Sequence, residues 1–177
     1  MAAADGTTNP GYRFGAFDYV AMAYFASHIP ITLLVDAQAV LPDVGVVYPA
    51  PVAELVRWYA AEFGDTLMAA PPVGQPPWFK AIVWVEVALQ LPFFFWALYA
   101  WVRKDNRLRI PLLIYAAHVA TTLVPILGVF ATATHLEATQ RATLIAIYAP
   151  YLLLPLAFLY RAATTPLLFG TPKPKVP

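Results

Sequence analysis

Two carboxylates stand inside long apolar stretches of this 177-residue chain. Asp36 closes the run HIPITLLVDAQAVLP, and Glu86 lies within WFKAIVWVEVALQLPFFF. An ionisable side chain near a bilayer centre costs about 2.5–3.5 kcal/mol on insertion scales, so it persists where it is paired, protonated or turned toward a cavity. Two carboxyl groups close together in an apolar wall do not both ionise; they share a proton and titrate as a pair. Asp36 lies nearer the interface and keeps more solvation. The expected division is therefore a charged Asp36 and a protonated, donating Glu86. A pocket with one negative charge suits an amphipathic amine or a sterol hydroxyl. The alternative is structural: the two acids hydrogen-bond and pin two helices together.

Other polar groups fall near the same depth. Gln90 follows Glu86 by four residues, one helical turn on. Tyr148 and Tyr151, three apart in YAPYLLLP, are placed to face the acids, because buried hydroxyls need partners. Trp58, Tyr59, Trp78, Phe79 and Trp84 can line a pocket or sit in an interfacial belt. His28 with Ser27, and His118 with Thr121 and Thr122, are read as hydrogen-bonding groups between helices rather than as catalysts. His28, His118 and His135 have no second ligand at helical spacing, so no metal site is expected. The chain has no cysteine, which removes disulfides, thiolate nucleophiles and thiolate-bound metals. Neither a glycine-rich phosphate loop nor a Ser–His nucleophile pattern occurs, and no cofactor and no catalytic residue is assigned. The basic residues are scattered and the net charge is +1, so nucleic acid is not expected as a partner.

The elements that must position these groups follow from composition. Charged residues make up 12% of the chain, against about 25% in soluble domains, and 60% of residues are hydrophobic. The chain is expected to be an all-α integral membrane protein, a single bundle of four transmembrane helices. Apolar stretches at about 17–40, 77–102, 110–133 and 142–160 each approach the roughly 20 residues that a helix needs to cross the hydrocarbon core. Pro30, Pro92, Pro125, Pro150 and Pro155 fall within them, which predicts bent helices that bow apart around a cavity. The start, MAAADGTTNPGYRF, lacks a basic segment followed by an apolar core, so the first stretch is expected to be an uncleaved anchor.

The connection Arg103-Lys104-Asp105-Asn106-Arg107-Leu108-Arg109 carries four basic residues in seven positions. By the positive-inside rule it is cytosolic, and both termini then lie on the cytosolic side. Asp36 and Glu86 fall in the lumenal half. The connection 41–76 is too long for a turn. It contains PVAELVRWYAAEFGD, in which Val52, Leu55, Val56, Tyr59 and Phe63 recur at helical spacing. This helix either lies on the lumenal leaflet or forms a lid over a cavity; the two are compatible. The expected organisation is a tail over 1–14, a membrane domain over 15–162 and a tail over 163–177, with 1–12 and 171–177 disordered.

Several long blocks resemble one family. SHIPITLLVDAQAVLP, RWYAAEFGD, PPWFKAIVWVEVALQLPFFFWALYAW, IYAAHVATTLVPIL and IYAPYLLLP stand in the order and spacing of the EXPERA-domain family, over roughly residues 15–160. The resemblance implies four transmembrane helices around a deep cavity opening sideways to the membrane. It implies an endoplasmic reticulum protein of sterol handling, homodimeric, that binds cationic amphiphiles, cholesterol and oxysterols. It also implies roles: Asp36 forms the salt bridge to a ligand amine and Glu86 hydrogen-bonds to Asp36. The pocket wall maps to Val35, Leu55, Tyr59, Phe63, Met68, Gln90, Thr122, Ile147, Tyr148 and Tyr151. Asp65 maps to an acid that acts through the structure of the lid. Val35 and Met68 depart from the mammalian residues, which bears on ligand preference.

The ending KPKVP resembles a dilysine retrieval signal, through Lys173 and Lys175. Two further functions remain open on the resemblance. The related emopamil-binding protein is a sterol Δ8–Δ7 isomerase that carries a histidine with a glutamate one turn on. Here the residue four after His28 is Thr32, and the isomerase's fifth span is missing. The other function is a regulatory scaffold for a cholesterol-transport protein.

Overall fold

The computed structural model describes residues 7–69 and 74–170. Four helical stretches are long and apolar enough to cross a membrane: Ala16–Ala39, Pro77–Val102, Asn106–Thr132 and Ala138–Thr164. They match the predicted spans, the third beginning earlier and the fourth running longer at both ends. Large apolar side chains point outward along them, among them Leu89, Phe95, Ile114, Val124, Leu153 and Tyr160. Such a surface is stable only against lipid, and helices satisfy their backbone groups internally there. The protein is a multi-pass membrane protein.

Helix α1 (Ala16–Leu34) starts where Asp18 accepts the Gly15 N–H at 2.9 Å, and it contains Pro30. A tight helical turn, Asp36–Ala39, and a second one, Leu41–Val44, carry the chain off its end. Helix α2 (Ala50–Phe63) begins on Pro49 and Pro51, where a missing N–H costs nothing. It ends at Gly64, which adopts the left-handed conformation at φ 71°. A Cβ at Gly64 would also meet Leu136 at 2.5 Å, so both backbone and packing require glycine. The short α3 (Thr66–Ala69) follows.

The second span is not a single α-helix. It comprises α4 (Pro77–Val85), a widened turn at Glu86–Gln90 and α5 (Leu91–Val102). The Leu91 N–H bonds to the Glu86 carbonyl, five residues back. In an unbroken α-helix the Pro92 ring would collide with the carbonyl of residue 88; the wide turn opens the backbone just there. The last two spans are α6 (Arg109–Thr132) and α7 (Ala138–Thr164), which pack along each other, as α1 packs along α5. Pro125 lies inside α6, and Pro150 and Pro155 inside α7.

The interior divides into two cores. At the end that carries both termini, Phe25, Phe94, Trp101, Tyr115, Phe158 and Phe169 pack ring against ring. At the opposite end, Val40, Val56, Phe79, Val83, Phe130 and Leu144 form a second cluster under α2. Helix α2 buries Val56 and Ala60. Val52, Tyr59 and Phe63 of the predicted apolar face are half-buried beside Val56, and only Leu55, at 55%, stands exposed.

Residues 7–12 are not disordered as expected. Thr8 pairs with Asp105, and the buried Asn9 donates from Nδ2 to the Phe169 carbonyl at 2.7 Å. The charged loop holds the segment from below: Lys104 donates to the carbonyls of Pro10 and Tyr12. The dilysine reading at Lys173 and Lys175, and the disorder expected over 1–6 and 171–177, lie outside the described residues.

Candidate functional site

A cavity of about 350 Å³ lies between α1, α2, α4, the widened turn, α6 and α7. Asp36 reaches its wall because α1 gives way there to a tight turn, which swings the side chain inward beside Val35. Glu86 and Gln90 enter from the two ends of the widened turn. The carboxyl groups of Asp36 and Glu86 lie in hydrogen-bonding contact with each other. No ion pair among the described residues involves either acid.

The apolar wall comes from every span. Ile147, Tyr148 and Tyr151 face in from α7, Thr122 from α6, and Met68 from α3. Tyr59 and the exposed Leu55 and Trp58 form the rim on α2, so the cavity opens beside that helix. His28 also lines the cavity, its ring 4.8 Å from that of Tyr151. Phe79 lines the cavity, as do Ile31, Ile82, Tyr115 and Ile126, which the sequence did not single out; helical spacing in one chain segment does not say which face meets another segment.

Four expectations are corrected. Phe63 does not line the cavity; it sits at the end of α2 and packs on Tyr59, with ring centroids 5.3 Å apart. Tyr148 lines the cavity, but its hydroxyl donates to Asp65 at 2.6 Å, not to the pair of acids in the spans. The Ser27 hydroxyl and the His28 Nδ1 both meet the Tyr24 carbonyl, one turn back, so these hydrogen bonds stay within α1, and His28 reaches other helices through ring contacts with Phe94 and Tyr151. Thr121 and Thr122 likewise donate to carbonyls of their own helix, Ala117 and Val119, and His118 stays outside the cavity with no hydrogen-bond partner for Nε2. In each local case a backbone carbonyl one turn away is a nearer acceptor than anything on a neighbouring helix.

Asp65 is fully buried and holds the cap of the cavity together. Its Oδ1 accepts the N–H groups of Leu67 and Met68 at 3.0 and 3.1 Å, which starts α3. Its Oδ2 accepts the hydroxyls of Tyr148 and Tyr59, at 2.6 and 3.3 Å. Burial pushes the Asp65 carboxyl above the usual carboxylate range, against the pull of these hydrogen bonds. Burial likewise raises the Tyr59 phenol, with the charge of Asp65 adding to it.

Besides those wall residues, the partner of the acid pair was not found from the sequence. Thr32 is fully buried and donates from Oγ1 to Glu86 Oε1 at 2.6 Å. The available signal was the spacing His28–Thr32–Asp36, one turn apart each time along one face of the first span.

Four membrane-crossing helices around a pocket with two acids define a membrane receptor or binding protein as the class. The family model for EXPERA (EXPanded EBP superfamily) matches residues 51–162, and the chain belongs to that family. Within it the chain is similar to sigma intracellular receptor 2. It is 45% identical to that protein of Xenopus tropicalis, over 84% of this chain and 89% of the relative. It is 43% identical to that of Homo sapiens, over 77% of this chain and 81% of the relative. It is also 31% identical to efficient mitochondria targeting-associated protein 19 of Saccharomyces cerevisiae, over 75% of this chain and 89% of that one.

Proposed function

We propose that the cavity binds sterols and cationic amphiphiles, and that the protein serves cholesterol homeostasis as a receptor rather than as an enzyme. The observation that carries this reading is the acid pair: Asp36 and Glu86 touch each other in the wall of an apolar cavity, and no cation among the described residues pairs with either. A ligand amine supplies the missing positive charge at Asp36, with Glu86 donating a hydrogen bond to Asp36 in that complex. The aromatic faces of Tyr59, Tyr151 and Trp58 surround such a cation favourably. The volume lies in the usual range of ligand pockets, about 300–1,000 Å³.

The test is binding of a labelled amphipathic tertiary amine to purified protein carrying Asp36→Asn or Glu86→Gln. Affinity falls in both variants; unchanged affinity in both overturns the proposal. The same acid pair in an apolar cavity supports a second reading, a sterol isomerase, which needs an acid and a base across the substrate. Incubation with a Δ8 sterol decides it, and we expect no Δ7 product. The end with both termini carries the basic loop, so we place it in the cytosol, with the protein in the endoplasmic reticulum membrane as a homodimer. A glycosylation-acceptor site inserted at residues 44–47 reports the side of the opposite end.

A further inference from the structure

We infer that Thr32 is a positioning residue that sets where the single negative charge of the acid pair resides, and thereby sets the preference of the cavity between cationic and neutral ligands. The inference rests on the binding reading above. Thr121, Thr132, Thr143 and Thr164 each donate to the carbonyl four residues back, and Thr122 to the one three back. Thr32 instead reaches across to the second span, over 54 residues of sequence, and gives its one hydroxyl proton to Glu86. Thr32 is fully buried.

The two acids are therefore not equivalent. Glu86 meets two groups able to donate, Thr32 and Asp36, whereas Asp36 meets Glu86. A hydroxyl donates about twice as strongly to a carboxylate as to a neutral carbonyl oxygen. The Thr32 bond thus favours the charge on Glu86, with Asp36 holding the shared proton and donating it. This is the reverse of the division expected from depth alone. Depth ranks the acids by solvation, and a dedicated donor outweighs that difference.

A cation that settles against Asp36 requires the other arrangement. The O–H bond at Asp36 breaks, an O–H bond at Glu86 forms, and the negative charge passes from Glu86 to Asp36. No proton enters or leaves the pair. The Thr32 bond weakens in that step, so Thr32 opposes amine binding and leaves a neutral sterol hydroxyl, which needs no such transfer, unaffected. Removing the hydroxyl lets the charge settle on Asp36 beforehand.

The experiment compares wild type, Thr32→Val and Thr32→Ser in detergent micelles. The probes are N,N-dimethyltetradecylamine and cholesterol, and thermal unfolding tracks integrity. Thr32→Val is expected to tighten the amine about tenfold, the equivalent of one charge-assisted hydrogen bond. Cholesterol affinity stays within about twofold, and Thr32→Ser restores wild-type values for both. A merely structural role would weaken both probes together. A parallel loss, or an unchanged ratio of the two affinities, overturns the inference. Asp36→Asn run alongside separates the two failures. If it abolishes amine binding while Thr32→Val leaves the ratio alone, the assignment to Thr32 fails and the binding site stands. If it changes neither probe, the binding site fails and the inference with it.

Discussion

The two ends of the bundle treat a buried acid in opposite ways. At the end with both termini, Asp18 is 1% exposed and fully met. Arg161 pairs with it at 2.9 Å, the Trp101 indole donates at 3.2 Å, the Tyr12 hydroxyl at 2.9 Å and the Gly15 N–H at 2.9 Å. Arg161 also stacks over Phe17 at 4.7 Å and reaches the Leu168 carbonyl. This charge closes a core of packed rings and leaves nothing for a ligand. At the other end Asp36 and Glu86 meet one hydroxyl and each other, beside a cavity. A buried charge with all its partners is architecture, whereas one without a counter-ion is where the proposed cationic ligand would settle.

The widest test of that contrast is stability. Arg161→Met strands the Asp18 carboxylate and is expected to destabilise the protein by about 3–5 kcal/mol, read by thermal or denaturant unfolding in micelles. Asp18→Asn added to it recovers most of the loss. Asp36→Asn, which removes an acid with no cation to strand, changes stability by less than about 1 kcal/mol. Equal losses in Arg161→Met and Asp36→Asn would erase the difference between the two ends.

Binding sharpens it from the other side. Asp36→Asn is expected to weaken an amphipathic amine by roughly thirtyfold or more, since truncating one partner of a desolvated charge pair costs about 2 kcal/mol or more. Arg161 variants that remain folded bind as wild type.

The cap over the cavity should respond more gently. Tyr148→Phe removes one of four donors to Asp65 and costs about 1–2 kcal/mol, visible as faster hydrogen exchange over residues 59–68. Loss of exchange protection at the terminal end instead would show the two halves to be one unit.

The smallest effect is on pH. Burial raises the Asp65 carboxyl, so its folded form holds the proton more tightly than its unfolded form. The stability that this adds is complete below the ordinary carboxylate value, about 3.9, and is lost as pH rises through the folded value. Cap protection should therefore decline with rising pH in that window, and Asp65→Asn should flatten the profile. Protection that rises with pH would mean that the hydrogen bonds from Tyr148, Leu67 and Met68 outweigh burial.

What was legible in the sequence was whatever one segment decides alone. The second span, Pro77–Val102, could be read to the residue, because prolines bound its start and a basic loop its end. Asp36 and Glu86 stood out because ionisable groups are rare in apolar runs. The first span ends in a tight turn, and the second contains a wide one at Glu86–Gln90. Pro92 hinted at the latter without fixing its form. Aromatic tyrosines in α7 promised hydroxyls for the acids, yet Tyr148 chose Asp65, 83 residues away.

The sequence by itself determined the medium, the number of crossings and the identity of the two acids, since these follow from local hydropathy and from the cost of charge in lipid. Only the tertiary structure decided which acid is neutralised and which is not. Asp18 met Arg161 from the far end of the chain, and Glu86 met Thr32 from another helix, whereas no cation among the described residues pairs with Asp36. The reason is geometric: the rotation of each helix about its axis is set by how neighbouring spans pack, and no periodicity within one span contains it.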